Sequence, residues 1–394
     1  MTVSHSSIFT WYVGHPPTAV TRHDPQWPMP LPLDRAGAGG SICTPTLTYG
    51  QYFMAVQDFL SKEEMALLRR VAELESSTSI ANGTLDRVQV HLIKHGAFYH
   101  PALVTAWMGP RKIAFILNVA VSAAGRARLA AEAVLLDDLH GRWAQSYVPR
   151  VFGSGAGSAA GGDSLPMFAA QWFEGFYELH LSRQGSSQSQ QWSVWDTDGP
   201  PWYLSPKQTA TFFRQAVCIL TRYFDPHTLS AIMEWHHAAG DFIVGKQGDD
   251  IAVRLITVRR YDPLLTIEEH RLDLRMLLNA LTIFLLKTTL WMRLDRIDGV
   301  GELSWAEGDV ATPMWRGFMQ GIGQMAAANG FPDDFATEVA RYLRTYSFSD
   351  LLEVGANLLV TMHPELAEAK LIRRHLSAHV QSLVAAIHAH VEKY

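Results

Sequence analysis

The sequence is poor in cysteine and in charged residues. It contains 2 Cys among 394 residues, and Asp, Glu, Lys and Arg together make up 18%, against roughly 25% in ordinary soluble domains. Cys43 and Cys218 are too few for a disulfide framework or a cysteine-based zinc site, which favours a reducing compartment. A hydrophobic fraction of 48% with a formal net charge of −5 excludes an intrinsically disordered chain.

A basic surplus, a secretion signal and a long uninterrupted apolar run are also lacking. The chain has 33 Lys and Arg against 38 Asp and Glu, so we expect no nucleic-acid binding. The opening MTVSHSSIFTWYVGH has neither the basic start nor the apolar core of a signal peptide, which predicts a cytoplasmic protein. Residues 272–292 are the most apolar stretch, but Asp273, Arg275 and Lys287 interrupt it. They predict a buried helix and no membrane span.

Composition and periodicity divide the chain into four segments. Residues 1–60, rich in Pro and Gly, are predicted to form an irregular arm, and residues 61–180 a small lobe of antiparallel strands and one helix. Residues 181–204 form a Trp-rich polar loop, and residues 205–394 a mostly helical lobe.

Local patterns predict individual elements within these segments. Ser61 followed three residues later by Glu64 has the spacing of a capping box, which predicts a leading helix over 62–75. Three antiparallel strands are expected over 87–122, then a helix over 124–140 and two more strands. The glycines of 153–157 are expected to form a mobile connection.

The helical lobe has one interruption, residues 234–262, which read EWHHAAGDFIVGKQGDDIAVRLITVRRYD. Two short apolar runs joined by Gly and Asp predict a β-hairpin.

This order of elements resembles the bilobal kinase-like fold, in its aminoglycoside/choline-phosphotransferase branch. That branch has a catalytic loop of the form HGDxHPGN followed by a hairpin. Here Gly240 matches the loop glycine, Asp241 the metal-binding Asn, and Val253 to Ile256 the second hairpin strand. The resemblance covers roughly residues 87–262 and implies an α+β fold with an antiparallel N-terminal lobe and a helical C-terminal lobe.

The departures from the family pattern fall on the chemical positions. His236 stands at the position of the catalytic aspartate, and Thr257 at that of the second metal-binding aspartate. Asn118 replaces the lysine that pairs with phosphate, whereas Glu132 is spaced to be that lysine's glutamate partner. The hairpin that would cover the phosphates has a single glycine, Gly96.

The resemblance also implies ligands. In this fold the connector containing Trp172 and Phe173 would hold an adenine, which makes ATP or another nucleotide the candidate cofactor. Core packing between the two lobes is an equally good interpretation of these aromatic residues. Phosphoryl transfer depends on positioning and on charge neutralisation by Lys and Mg²⁺. Mg²⁺ prefers carboxylate and phosphate oxygens, so Asn118, His236 and Thr257 argue against it.

Three hypotheses about function follow. The leading one is a degenerate, pseudokinase-type protein that acts through a protein partner, and through a nucleotide if one binds. The second is an active, non-standard ATP-dependent transferase with His236 as base, helped by Asp241 and Glu132. The third is a non-kinase α/β protein that docks through the Trp-rich loop, whose tryptophans are Trp192, Trp195 and Trp202.

Overall fold

The computed structural model describes residues 8–32, 47–75, 84–96, 98–159, 162, 164–184, 189–197, 199–236, 240–265 and 272–389. The chain divides into two compact units, residues 1–174 and 175–394. Its mixed helices and sheets confirm the α+β class. Cys43 lies outside the described residues.

Unit 1 is built on one sheet with helices packed against it. Its strands are β1 (Phe9–Val13), β2 (Thr18–Val20), β3 (Leu85–Leu92), β4 (His100–Met108), β5 (Arg111–Val119), β6 (Val151–Ser158) and β7 (Ser164–Gln171). Its helices are α1 (Tyr49–Ser61), α2 (Ala66–Leu74) and α3 (Ala123–Gly141). The sheet order is β2-β1-β3-β4-β5-β7-β6. All neighbours are antiparallel except β1 and β3.

The predicted strands and helix of this unit are present. Strands β3, β4 and β5 form the three consecutive antiparallel strands, with Val104 opposite Val90 and Phe115. Helix α3 begins after Ser122, whose side chain accepts a hydrogen bond from the Gly125 N–H. This cap defines the start of the helix that the sequence predicts over 124–140.

The N-terminal segment differs from the expected irregular arm. Phe9, Trp11 and Val13 on β1 are buried in the core of unit 1, together with Tyr52 and Phe53 of α1. Pairing with β3 and burial of these aromatic side chains stabilise regular structure that proline and glycine counts do not reveal. Residues 1–7 and 33–46 of the predicted arm lie outside the described residues.

The capping box also lies elsewhere than the sequence suggested. It is formed at the start of α1 by Thr48 and Gln51, each accepting a hydrogen bond from the other's backbone N–H. Ser61 makes no cap, and a short 3₁₀ turn, Lys62–Glu64, separates α1 from α2. Met65 has a left-handed backbone with φ of 66°. The expected helix over 62–75 is therefore wrong in its first turn, because Glu63, Glu64 and Met65 have left-handed backbone angles that a continuous helix does not allow.

The glycines of 153–157 belong to β6 rather than to a mobile connection. A Cβ atom added at Gly157 would lie 1.9 Å from the Ala55 carbonyl oxygen, and one at Gly155 would lie 2.8 Å from the Phe59 ring. Glycine in this strand therefore permits the close approach of α1.

Unit 2 contains the remaining strands and helices. The strands are β8 (Phe176–Gln184), β9 (Ser189–Val194), β10 (Trp202–Tyr203), β11 (Ser230–Met233), β12 (Phe242–Gln247), β13 (Asp250–Leu255), β14 (Arg260–Pro263), β15 (Leu294–Arg296) and β16 (Leu303–Trp305). The helices are α4 (Pro206–Arg222), α5 (Leu274–Trp291), α6 (Ala311–Ala328), α7 (Phe335–Leu343), α8 (Phe348–Val360) and α9 (Ala367–Ala389). One sheet has the order β10-β9-β8-β12-β13, and two further pairs are β11-β14 and β15-β16.

Two elements of unit 2 agree with the predicted helical lobe from residue 205 and with its hairpin. Helix α4 begins with a capping box between Ser205 and Gln208. Strands β12 and β13 form the predicted hairpin, with Gln247 paired to Asp250 across the turn.

Helix α5 covers most of the apolar stretch that the sequence analysis singled out. It is long and apolar enough to cross a membrane by length and composition, but 56% of its residues are buried inside the protein. Leu281, Leu285 and Leu290 are fully or almost fully buried. Its packing is that of the core helix that the sequence predicts.

The segment 181–204 is mainly a sheet edge rather than a loop. Trp192 lies in β9, is 5% exposed and packs against Phe212 and Phe213 of α4. Pairing of β8 with β9 buries this indole, which removes it from any docking surface. Residues 185–188 lie outside the described residues.

Candidate functional site

The loop over residues 234–241 is framed by two pairs of strands. Strand β11 ends at Met233 and pairs with β14, while β12 begins at Phe242 and pairs with β13. The loop therefore starts and ends on neighbouring elements of unit 2. His237 and the two alanines after it lie outside the described residues.

Asp241 closes this loop from inside the protein. Its side chain is 2% exposed, and the Arg259 guanidinium contacts both of its oxygens at 2.6 Å. The backbone N–H of His236 donates to the same carboxylate at 2.7 Å. Arg259 also donates to the Glu234 carbonyl oxygen at 2.7 Å. Both carboxylate oxygens are thus engaged by N–H donors, in the bidentate geometry that makes Arg–carboxylate pairs strong.

Gly240 fits the loop against strand β8. Its φ is +69°, and an added Cβ would lie 2.6 Å from the Glu178 carboxyl carbon. Both observations require glycine at this position.

His236 stands at the entry of the loop, with an exposed side chain. The buried part of this side chain loses solvation, which lowers its pKa below the ordinary value of 6.5, and attraction from Asp241 opposes this without cancelling it. Its imidazole is therefore mostly neutral at pH 7 and chemically able to accept a proton.

Thr257 lies between β13 and β14, two residues before Arg259. The residue that reaches the Asp241 carboxylate from this segment is the arginine, not the threonine. Arg259 stood inside the quoted motif, but its partner lies eighteen positions earlier in the sequence. Two strand pairings bring them together: β12 with β13, beyond which the Ile256 N–H donates to the Asp241 carbonyl oxygen at 2.9 Å, and β11 with β14.

The hairpin between β3 and β4 is closed on itself in unit 1. The Gly96 N–H donates to the Tyr99 carbonyl oxygen at 3.1 Å, and an added Cβ at Gly96 would lie 2.6 Å from that oxygen. The Arg128 guanidinium lies 4.8 Å from the centre of the Phe98 ring. The bulky residues of this hairpin therefore fold onto the start of α3.

Tyr99 connects this hairpin to Glu132. Its hydroxyl donates to Glu132 Oε2 at 2.7 Å, and its ring packs edge-on against Phe168 at 6.0 Å. Glu132 is 3% exposed. Asn118 on β5 is paired with Phe168 on β7. The structure thus brings Gly96 and Glu132 to one tyrosine, whose role the sequence did not reveal, and places Asn118 opposite the phenylalanine that packs on its ring.

Trp172 and Phe173 follow the end of β7 and do not join that group. Trp172 lies one residue beyond the Phe115–Gln171 pair, so it is about four residues, or roughly 13 Å, along β5 from Asn118. It lines a shallow surface depression of about 430 Å³ with Lys112 and Glu174. The Lys112 ammonium lies 3.2 Å from the Glu174 carboxylate.

A second buried charge cluster in unit 2 contains His180. Its ring nitrogens lie 3.4 Å from Glu178 Oε2 and 3.7 Å from Asp295 Oδ1, and its ring packs 4.7 Å from that of Trp195. Burial opposes charge on His180, but hydrogen bonds and attraction from Asp295 and Glu178 outweigh it and raise the pKa to about 9. The sequence signal that could have located this cluster is the short spacing of Glu178 and His180.

Among the described residues, no three His, Cys, Asp or Glu side chains are arranged to hold a metal ion. The carboxylate at the metal-binding position of the loop, Asp241, is neutralised by Arg259.

Comparisons with known proteins give a distant likeness at the level of structure only. No family model matches the chain. No curated protein matches it. Among solved structures, the chain is similar to the Drosophila melanogaster PAN3 pseudokinase, with 13% identity over 73% of this chain and a TM-score of 0.26. The match spans 65% of that protein's chain. A TM-score of 0.26 is too low to support a conclusion about fold or function, and the matched protein is not an aminoglycoside or choline phosphotransferase.

Proposed function

We propose that this chain is a kinase-like protein that does not transfer phosphate and that acts by binding a protein partner. The single observation that carries the proposal is the buried pairing of Asp241 with Arg259. The carboxylate that a working loop would offer to a metal ion is here neutralised by a residue of the same chain.

The strand order supports the kinase-like part of the proposal. Strands β3, β4, β5, β7 and β6 are adjacent in that order, with α3 between β5 and β6 in the sequence. The small lobe of kinase-like proteins has the same succession of three strands, a helix and two strands. In unit 2, a strand pair flanks a loop and a hairpin, as in the catalytic half of that fold.

The chemistry of the loop over residues 234–241 supports the proposal that the protein does not transfer phosphate. Phosphoryl transfer is almost entirely positioning and charge stabilisation by metal ions and lysine. Removing one partner of a buried ion pair costs about 3–5 kcal/mol. A metal ion would have to displace Arg259 from Asp241 against a penalty of that order. Thr257 offers no carboxylate to compensate.

The hairpin of unit 1 argues against ordinary nucleotide binding. In an active kinase the glutamate on this helix pairs with the lysine that holds the phosphates. Here the Tyr99 hydroxyl contacts Glu132 instead. We therefore favour a protein partner over ATP as the ligand of this protein.

Nucleotide titration followed by thermal unfolding tests the proposal. We expect ATP, ADP and GTP at millimolar concentration, with Mg²⁺, Mn²⁺ or EDTA, to shift the Tm by less than about 1 °C. A ligand present at a hundred times its Kd would stabilise the protein by about 2.7 kcal/mol, or several degrees. Metal-dependent stabilisation of that size, together with transfer of labelled γ-phosphate, would refute the proposal.

The second candidate is a non-standard transferase that uses His236 as its base. Its support is the exposed position and lowered pKa of that imidazole. It predicts that His236→Ala abolishes a measurable transfer of phosphate or nucleotide while the Tm stays unchanged. Equal activity in parent and variant would eliminate it.

A further inference from the structure

Helix α3 presents an apolar face to solvent. From Ala123 to Val134, every exposed position carries an alanine or a valine: Ala123, Ala124, Ala127, Ala130, Ala131 and Val134. Val134 is 69% exposed. The opposite face, with Leu129 and Leu136, is buried. A surface helix ordinarily places polar residues outward, so this face has the composition of a covered surface.

The charges of α3 run against its own dipole. Arg126 and Arg128 lie near its N-terminus, whereas Asp137 and Asp138 lie near its C-terminus. Helix N-termini favour acidic groups and C-termini basic ones. The Asp138 carboxylate forms an ion pair with the Arg142 guanidinium at 2.7 Å. Asp137 forms no ion pair with any residue in the described ranges. Such a distribution becomes favourable beside an antiparallel helix of the same sequence.

We propose that the apolar face of α3 binds α3 of a second copy of this chain, antiparallel and around a two-fold axis. Centred on Ala130 and Ala131, the pairing sets Ala127 of each copy against Val134 of the other. Arg126 and Asp137 are eleven residues, or about three turns, apart and lie on the same flank of the helix. A two-fold axis brings the same flanks together, so Arg126 of each copy comes within one helical turn of Asp137 of the other.

Two features of α3 fit this arrangement. Alanine and valine side chains let two helices approach closely, and the apolar centre is then bordered by two reciprocal ion pairs. Arg126 uses its Nη1 group on the Ser164 carbonyl oxygen at 2.9 Å, a contact that holds its stem beside the apolar face.

The inference rests on the proposed function, because it identifies the protein partner as a second copy. It adds a link to the candidate site, since the buried face of the same helix carries Glu132, the acceptor of the Tyr99 hydroxyl. The two can fail separately: absence of phosphate transfer is measured without reference to oligomeric state.

Sedimentation velocity and light scattering of the full chain, at roughly 1–100 μM, test the proposal. We expect a reversible dimer for the parent and a monomer for Val134→Glu. Arg126→Asp and Asp137→Arg should each weaken the dimer by at least about tenfold. The double variant should restore the parent's dissociation constant to within about threefold, because it reverses both reciprocal pairs.

Val360→Glu is the matched control, since Val360 on α8 is 81% exposed and lies outside the proposed interface. We expect it to leave the dimer unchanged. Unchanged circular dichroism would show that each variant is folded. A parent that is monomeric at 100 μM, a dimer that survives Val134→Glu, or a double variant no better than the singles would each overturn the proposal.

Discussion

The carboxylates at the two candidate sites are held by different kinds of donor. Asp241 in unit 2 is paired with a guanidinium, which stays charged at every pH the protein meets. Glu132 in unit 1 accepts a hydrogen bond from a neutral phenol. Both side chains are almost completely buried. In both units a buried carboxylate is bound by a donor of the same chain. The stability of the protein should depend much more on the charged guanidinium than on the neutral phenol.

His180 is a third buried donor, intermediate between the permanently charged Arg259 and the neutral Tyr99. Its imidazole lies between two carboxylates, whereas Arg259 contacts one. Unlike the guanidinium, the imidazole can lose its proton. The cost of removing each donor should therefore fall in the order arginine, histidine, tyrosine.

Replacing Arg259 with methionine should have the largest effect. It leaves the Asp241 carboxylate buried without its counter-charge, and we expect a loss of about 3–5 kcal/mol in the free energy of unfolding. Urea denaturation measures this directly. Arg341→Met is the matched control, because its ion pair with Glu338 is exposed and should contribute less than about 1 kcal/mol. Equal losses in the two variants would contradict the assignment of Asp241 as an internally neutralised carboxylate.

Deprotonation of His180 should rank second. Its folded pKa of about 9 lies above the ordinary value of 6.5. The stabilisation it provides is therefore complete below about pH 6.5 and is lost as the pH rises through 9. We expect about 3 kcal/mol to disappear over this range.

Urea midpoints at intervals between pH 6 and pH 9 test this prediction, with His180→Gln as the reference. The variant should show a flatter profile than the parent. Burial also raises the pKa of the Cys218 thiol, to about 11, and this effect is common to both proteins. Parallel profiles would mean that His180 is neutral in the folded protein.

Tyr99→Phe should have a smaller effect. The substitution removes one hydroxyl from the buried Glu132 carboxylate while preserving the ring contact with Phe168, so about 1–2 kcal/mol should be lost. Tyr203→Phe, at an exposed residue of β10, serves as the control and should change stability by less than about 0.5 kcal/mol. A loss as large as that of Arg259→Met would erase the difference between neutral and charged donors.

His236→Ala should have the smallest effect, within about 0.5 kcal/mol. The group that binds Asp241 is the backbone N–H of residue 236, which alanine retains. Thermal unfolding at pH 7 suffices to measure it. A large loss would show that the imidazole itself holds the loop together.

Local signals in the sequence predicted part of this architecture well. Helix α4 has its own capping box at Ser205, and the β12–β13 hairpin has its own turn. Both are encoded within a few consecutive residues. The continuation of β6 through the glycines of 153–157 was missed because these glycines are required by α1, about a hundred residues earlier.

At the candidate site, too, contacts between residues far apart in the sequence could not be predicted. Positions such as Asp241 and Glu132 follow from spacing within a motif. Their partners, Arg259 and Tyr99, are chosen by strand pairing and by the fold of a hairpin, which no local pattern displays. A sequence can thus mark where a carboxylate stands without showing what neutralises it. The nucleotide, the cytoplasmic location and the domain boundaries expected from the sequence remain predictions.

The close approach of α1 to β6 has a consequence for assembly. Two backbone groups of this edge strand are already bonded to side chains of α1 and the turn after it, the Ser158 N–H to Asp58 at 3.0 Å and the Ala156 carbonyl to Lys62 at 2.6 Å. A free sheet edge is a template for strand addition by another chain. Helix α1 occupies that template, so the sheet of unit 1 is protected at β6 from open-ended polymerisation, and growth into fibrils from this edge would require α1 to detach first.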